Sequence, residues 1–255
     1  METIGIDIGA TEIKIVGMDR RIIRSGKIKT PRSLAKFKAA LAGVLEDFGA
    51  RQARGIGAGV AAAVDPVKGL VMSAHNLPFL NDFKIKQFLA GYNRRVAIDN
   101  DVRCIAAAEM NFGAARGVKN AVVIAIGTGI GGGIIIDGKL YRGNASAGEI
   151  GYMILDHGKT FEALAGGRTL HSFSDAELKR VGKYLGLACA NIINLLAPDK
   201  IILAGGVTER RYKKFMPQAA AAIKRHALWH AARHTKIVPS KLGTFAGAMG
   251  ATLLV

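Results

Sequence analysis

Cysteine is almost missing from these 255 residues: only Cys104 and Cys189 occur. Both lie in apolar, helix-like surroundings, so the sequence points to buried free thiols in a reducing, cytoplasmic compartment. Long apolar runs are missing as well. The longest, such as Ala121–Ile126, fall far short of the ~20 residues that a membrane-spanning helix needs. Met1 is followed by an acidic residue and then a strand pattern, so no signal peptide is expected. Acidic residues are few, 19 against 36 Lys and Arg, which leaves a formal charge of +17. Such a charge fits a nucleic-acid partner, an anionic substrate or a generally basic proteome. The densest basic stretch holds Arg210, Arg211, Lys213, Lys214, Lys224, Arg225, Arg233, Lys236 and Lys241, with Glu209 its only acid. It has one Trp, few other aromatics for base stacking and no nucleic-acid motif, which argues against specific nucleic-acid binding.

What is plentiful is glycine, 32 residues, in a chain that is 50% hydrophobic. That balance suits an α/β chain with a substantial core, long enough for one large domain or two lobes. Glycine is most concentrated in Ile124-Ala125-Ile126-Gly127-Thr128-Gly129-Ile130-Gly131-Gly132-Gly133-Ile134-Ile135-Ile136. An apolar strand enters, a glycine turn reverses it, and an apolar strand leaves towards Asp137-Gly138, a hairpin signal. A turn nearly free of side chains lets backbone N–H groups approach an anion, and Thr128 adds a hydroxyl. A tight turn between buried strands is the alternative, but the glycines exceed what a hairpin needs, which favours a phosphate cradle. No Lys-Ser/Thr follows and no helix follows, so neither the Walker pattern nor the dinucleotide fingerprint applies.

Taken in order, Thr3–Ile8, Ile13–Met18 and Ile22–Lys29 read as a strand meander whose first turn is Asp7-Ile8-Gly9-Ala10-Thr11. The segment 33–48 has helical spacing, with Leu34, Phe37, Leu41, Val44, Leu45 and Phe48 on one face. The stretch 55–64 reads as one buried strand broken by Asp65-Pro66. Asn76-Leu77-Pro78 lies in a polar loop. Val96–Ile98 is a strand, and Val102–Gly113 a helix, so Asp101 falls at a strand's C-terminal end, where ligands sit in open α/β sheets. Segments 160–169, 175–197 and 209–234 read as helices, Lys200–Leu203 as a strand entering Gly205-Gly206, and 244–254 as a closing helix. Ile6–Val16 and Ile126–Ile136 form a weak internal repeat: strand, glycine-threonine turn, strand. Two such halves would bring two turns onto one phosphate chain.

These motifs, in this order over nearly the whole chain, resemble the ROK family of sugar kinases within the actin/hexokinase/Hsp70 ATPase fold. The match rests on Asp7-Ile8-Gly9-Ala10-Thr11, Asn76-Leu77-Pro78, Asn100-Asp101, Gly127–Gly133, Ala147-Gly148-Glu149-Ile150-Gly151, Leu203-Ala204-Gly205-Gly206 and Ala246–Ala251. The resemblance implies an α/β, two-lobed, ribonuclease H-like architecture with a duplicated mixed sheet and flanking helices. It implies a smaller lobe of residues 1–112 plus 243–255 and a larger lobe of 113–242. It assigns Asp101 as the base for the attacking hydroxyl, a residue whose other reading is a helix N-cap. Asn76, Asn100, Asp65, Glu149, Tyr152 and Glu162 are implied as sugar contacts. Gly9, Thr11, Gly127, Thr128, Gly129 and Gly131 would contact phosphates, Gly205 and Gly206 adenosine, and Asp7 a Mg²⁺ ion through water.

The departures from the family pattern are specific. Many members carry a His after Gly-Glu-x-Gly and a Cys-rich zinc loop; here Tyr152 takes the His position and Asp156-His157-Gly158-Lys159-Thr160 is short. One His cannot make a structural zinc site, which needs about four ligands, so no zinc is expected. Ala10 and Glu12 replace a glycine and a lysine of the first loop, and Ala61-Ala62-Ala63 replaces Pro-Gly-Pro. The compact form resembles the branch holding polyphosphate-dependent glucokinases, and the positive charge would suit a polyanionic donor. The expected activity is transfer from Mg·ATP to a hexose hydroxyl, the 6-OH of glucose first among them, by a homodimer. Polyphosphate is the alternative donor, and a sugar-sensing regulator the alternative class; the early first strand leaves no room for a DNA-binding helix-turn-helix.

Overall fold

Alternating apolar residues and two tight turns make the first three strands an antiparallel meander: β1 (Thr3–Ile8), β2 (Glu12–Asp19) and β3 (Arg21–Lys29). These strands open the computed structural model, which describes residues 1–255. There follow α1 (Leu34–Asp47), β4 (Ile56–Val60), β5 (Ala63–Asp65), β6 (Leu70–Ser73), α2 (Ile85–Ala90), β7 (Val96–Asn100) and α3 (Asp101–Phe112). The next elements are β8 (Ala121–Ile126), β9 (Ile130–Ile136), β10 (Lys139–Tyr141), β11 (Ile154–Asp156), β12 (Lys159–Thr160) and α4 (Phe161–Ala165). The chain closes with α5 (Asp175–Leu196), β13 (Lys200–Ala204), α6 (Gly206–His226), α7 (Trp229–His234), β14 (Lys236–Pro239) and α8 (Ala246–Ala251).

The chain divides into two units. Unit 1 is Met1–Glu109, Gly143–Ser146 and Phe245–Val255; unit 2 is Met110–Arg142 and Ala147–Thr244. Unit 1 has a five-stranded sheet in the order β3-β2-β1-β4-β7, with β1, β4 and β7 parallel. Ile4, Ile6, Ile56 and Ala58 of this sheet pack with Phe37, Leu41 and Leu45 of α1. That is the helix face read from the 3.6-residue spacing. Unit 2 repeats the plan in the order β10-β9-β8-β13-β14, with β8, β13 and β14 parallel. Its core joins Ile124 and Leu203 to Val181, Leu185 and Ala188 of α5 and to Phe215 and Ala219 of α6. β1–β2 and β8–β9 hold the same places in the two sheets, so the weak sequence repeat marks a duplicated mixed sheet. Both cysteines are free and buried. Burial pushes the Cys189 thiol up to about 12, and the Cys104 thiol is also raised, first by burial and then by Asp99. No helix is long and apolar enough to cross a membrane.

Several elements differ from the sequence reading, each for a local reason. The single strand expected over 55–64 stops at Val60. There Ala62 N–H turns back onto Val60 O at 2.8 Å, and Ala63–Asp65 pairs with β6 in a separate two-stranded sheet. The segment 209–234, expected to be mostly helix, is interrupted at Ala227, which is extended. The break is held by Asn194 of α5, whose Oδ1 accepts from Leu228 N–H at 2.7 Å while its Nδ2 donates to His226 O at 3.2 Å. Segment 160–169 is five residues of α-helix followed by a 3₁₀ turn, Gly167–Thr169. The hairpin β11–β12, absent from the sequence reading, turns at His157 and Gly158, both with positive φ. The closing helix is α-helical only over Ala246–Ala251, with 3₁₀ turns on either side.

Candidate active site

In unit 1 the parallel strands β1, β4 and β7 end at one edge of the sheet, the edge where open α/β sheets bind ligands. The Gly9–Thr11 turn, Ala61–Ala63 and Asn100-Asp101 all leave from that edge. Thr30 ties the first turn down: its N–H donates to Thr11 O at 3.0 Å and its hydroxyl to Gly9 O at 2.7 Å. Those carbonyl dipoles are thereby withdrawn from any anion that approaches the turn. Asp7 is buried near the end of β1, with Lys14 Nζ 3.8 Å from its Oδ2. Burial pushes its pKa above the ordinary 3.8, and Lys14 pulls part of the way back. α8 passes Asp7 at Gly247, where a Cβ would stand 2.8 Å from Asp7 Cγ.

Asn100 caps α3. Its Oδ1 accepts from Val102 N–H at 2.9 Å and Arg103 N–H at 3.1 Å, while its Nδ2 donates to Ala62 O at 3.2 Å. The capping alternative for Asp101 is therefore corrected, since the cap falls one residue earlier. Asp101 is the first helical residue, and its Oδ1 accepts from Val102 N–H at 2.9 Å. Arg103, which the sequence reading passed over, is 2% exposed. Its Nε donates to Asp99 Oδ1 at 2.6 Å and its Nη1 to Ala145 O at 2.7 Å, while the buried Nη2 has no partner. Asp65 forms a local turn, its Oδ1 accepting from Val67 N–H at 3.0 Å and Lys68 N–H at 2.9 Å. Its strand packs beside β7. Asn76 is half-buried next to buried Leu77, in a loop shaped by Asn81 Oδ1 accepting from Ala74 N–H at 2.8 Å.

Unit 2 repeats the arrangement. Gly127 N–H closes the second turn on Gly129 O at 2.9 Å. Gly127 O accepts from Gly167 N–H and Thr128 O from Arg168 N–H, each at 2.9 Å. A Cβ on Gly127 would meet nothing within 4 Å, so that face of the turn is open. Gly205, at φ 90°, caps α6; a Cβ there would lie 2.5 Å from Ile126 O, so the Gly205-Gly206 turn abuts the root of the Gly127–Gly129 turn. Gly132 has a different task from the rest of the glycine run. A Cβ on it would be 2.7 Å from Gly148 O, and one on Gly148 would be 2.5 Å from Gly132 O. The strand and the Glu149 loop therefore meet backbone to backbone. Glu149 and Tyr152 are exposed, Tyr152 at 64%. Glu162, on α4, directs Oε2 at Ile130 N–H, 2.6 Å away. The β11–β12 hairpin is anchored by Tyr184 OH donating to Asp156 Oδ2 at 2.6 Å, and that bond holds the Asp156 carboxyl below the usual range.

A duplicated mixed sheet with a glycine turn between its first two strands is the actin-like ATPase architecture. The ROK family model matches residues 3–170 and 167–255, so this chain belongs to the ROK family. A glucokinase of Halalkalibacterium halodurans is 29% identical over 316 aligned residues, covering 99% of this chain and 94% of that protein. The solved ROK hexokinase from Thermus thermophilus matches with a TM-score of 0.83 and 26% identity over 100% of this chain and 98% of that one. An inorganic polyphosphate/ATP-glucomannokinase from Arthrobacter sp. strain KM matches with a TM-score of 0.78 and 27% identity, covering 99% and 97%. Enzymes of this kind are phosphotransferases, and so is this chain.

Proposed function

We propose that the protein transfers the terminal phosphoryl group of ATP to a hexose, with the 6-OH of glucose as acceptor. The observation that carries this reading is Asp101, a carboxylate at the start of a capped helix, on the same sheet edge as a glycine turn whose carbonyls are tied back. Asp101 takes the hydroxyl proton onto its carboxylate. The sugar oxygen then forms a bond to the terminal phosphorus while the bond to the leaving phosphate breaks, and its electron pair leaves with ADP. Glu149, Tyr152, Asn76, Asn100, Asp65 and Glu162 are the sugar contacts of this proposal. Gly9, Thr11, Gly127, Thr128, Gly129 and Gly131 hold phosphates, and Gly205 and Gly206 the adenosine. Mg²⁺ suits Asp7, because a buried carboxylate whose charge burial disfavours gains most from a cation. When bound, the ion would neutralise phosphate charge.

A second donor, polyphosphate, is favoured by the +17 charge and by the glucomannokinase relative. A matrix of ATP and polyphosphate against glucose, mannose, N-acetylglucosamine, N-acetylmannosamine and fructose decides both donor and acceptor. Turnover with ATP and glucose supports the main reading, and turnover with polyphosphate alone replaces the donor. Sugar binding without any turnover replaces the enzyme with a sugar sensor. Asp101→Asn should lower turnover by about 10²–10⁴-fold and leave glucose affinity largely intact; retained turnover rejects Asp101 as the base. A homodimer is part of the same proposal, and sedimentation velocity tests it.

A further inference from the structure

Glu162 is assigned to the sugar by resemblance, yet its carboxylate is engaged on the other side of the reaction. Oε2 accepts from the N–H of Ile130, the residue directly after the Gly127–Gly129 turn, at 2.6 Å. The same short segment grips that turn twice more. Gly167 N–H donates to Gly127 O and Arg168 N–H to Thr128 O, each at 2.9 Å. The fit at Gly167 is close, since a Cβ there would stand 2.1 Å from Gly127 O. Glu162 is joined rigidly to these donors. Its own carbonyl accepts from Gly166 N–H at 2.8 Å, and Thr160 Oγ1 caps α4 by accepting from Ala163 N–H at 3.2 Å. These three hydrogen bonds join residues 162–168 to 127–130, and the Glu162 bond among them is made by a side chain.

We infer that Glu162 is a positioning residue for the phosphoryl donor: through Ile130 N–H it sets the second glycine turn in the shape that receives phosphates. Phosphoryl transfer depends on positioning, so an error in the turn is felt in donor affinity. The inference rests on the reading of this turn as a donor site.

The test uses three variants of the full chain and two measurements. Donor affinity is measured calorimetrically with ATP·Mg and with polyphosphate, in the absence of any sugar. Amide exchange is measured at Ile130. Glu162→Ala removes the acceptor. It should speed Ile130 exchange and weaken donor binding about tenfold or more, the scale of one hydrogen bond to a charged group. Glu162→Gln keeps an acceptor of the same reach and should recover most of both. Glu162→Asp draws the carboxylate back by one methylene, keeps its charge, and should behave like the alanine variant, which covers the case of an alanine variant that does not fold. A change confined to sugar affinity, with sugar-free donor binding and Ile130 protection intact, overturns the inference. If the parent protein binds neither donor, the donor-site reading fails, while the exchange data still show whether Glu162 holds the turn.

Discussion

Asp7 is a residue whose burial works against the fold. Its carboxyl pKa in the folded chain is raised by desolvation, only partly offset by Lys14. A raised carboxylate pKa means that the folded state binds this proton more tightly than the unfolded chain does. Folding therefore loses stability as pH climbs above the ordinary 3.8 and on through the folded value. Asp7→Asn should melt higher than the parent at pH 7, with the difference fading below the ordinary carboxylate pKa. Added Mg²⁺ should narrow the gap by raising the parent alone; a variant that melts lower at pH 7 sinks this account. Glu177 has the opposite sign. Backbone N–H groups of His171 and Ser174 hold its pKa at about 2, so it supports the fold above 4.5 and loses that support as pH falls towards 2. The melting difference between the parent and Glu177→Gln should be greatest above pH 4.5 and close in strong acid. Arg103 shows a third pattern, a fully buried cation paired with Asp99. Arg103→Met removes the cationic partner of the buried Asp99 carboxylate and should lower stability by about 3–5 kcal/mol in denaturant titration.

At the scale of elements, β9 and the loop before Glu149 are joined through bare backbone. Gly148 sits at φ 95°, and its missing Cβ would collide with Gly132 O at 2.5 Å. Gly148→Ala should destabilise by about 2 kcal/mol or more, combining an unfavourable backbone conformation with overpacking. A circular-dichroism melt reads this directly. The role of Gly148 was not legible in the sequence, because a glycine for close packing and a glycine for anion approach look alike in a row of letters. The strands β1, β2, β8 and β9 and the helices α1 and α5 were legible, because their apolar spacing reports which face they bury. So were the places of both glycine turns and of the strand-to-helix junction at Asp101, which are fixed by short-range order along the chain. The break between α6 and α7 was hidden, because it depends on Asn194, more than thirty residues away in sequence. Arg103 was hidden for the same reason: its partner Ala145 O is 42 residues off. Asp156 and Tyr184 likewise meet only in three dimensions.

For the whole molecule, the repeated sheet means that both units carry a glycine turn in the same place, and the proposed donor grip is made of main chain. Each turn has its carbonyls bound by a neighbour, Thr30 in one unit and the Gly167-Arg168 amides in the other. Main-chain amides carry no exchangeable charge. A grip of this kind has no proton to gain or lose across the range in which enzymes are usually assayed. Donor affinity should therefore stay level across neutral pH, apart from the ionisation of the donor's own phosphates.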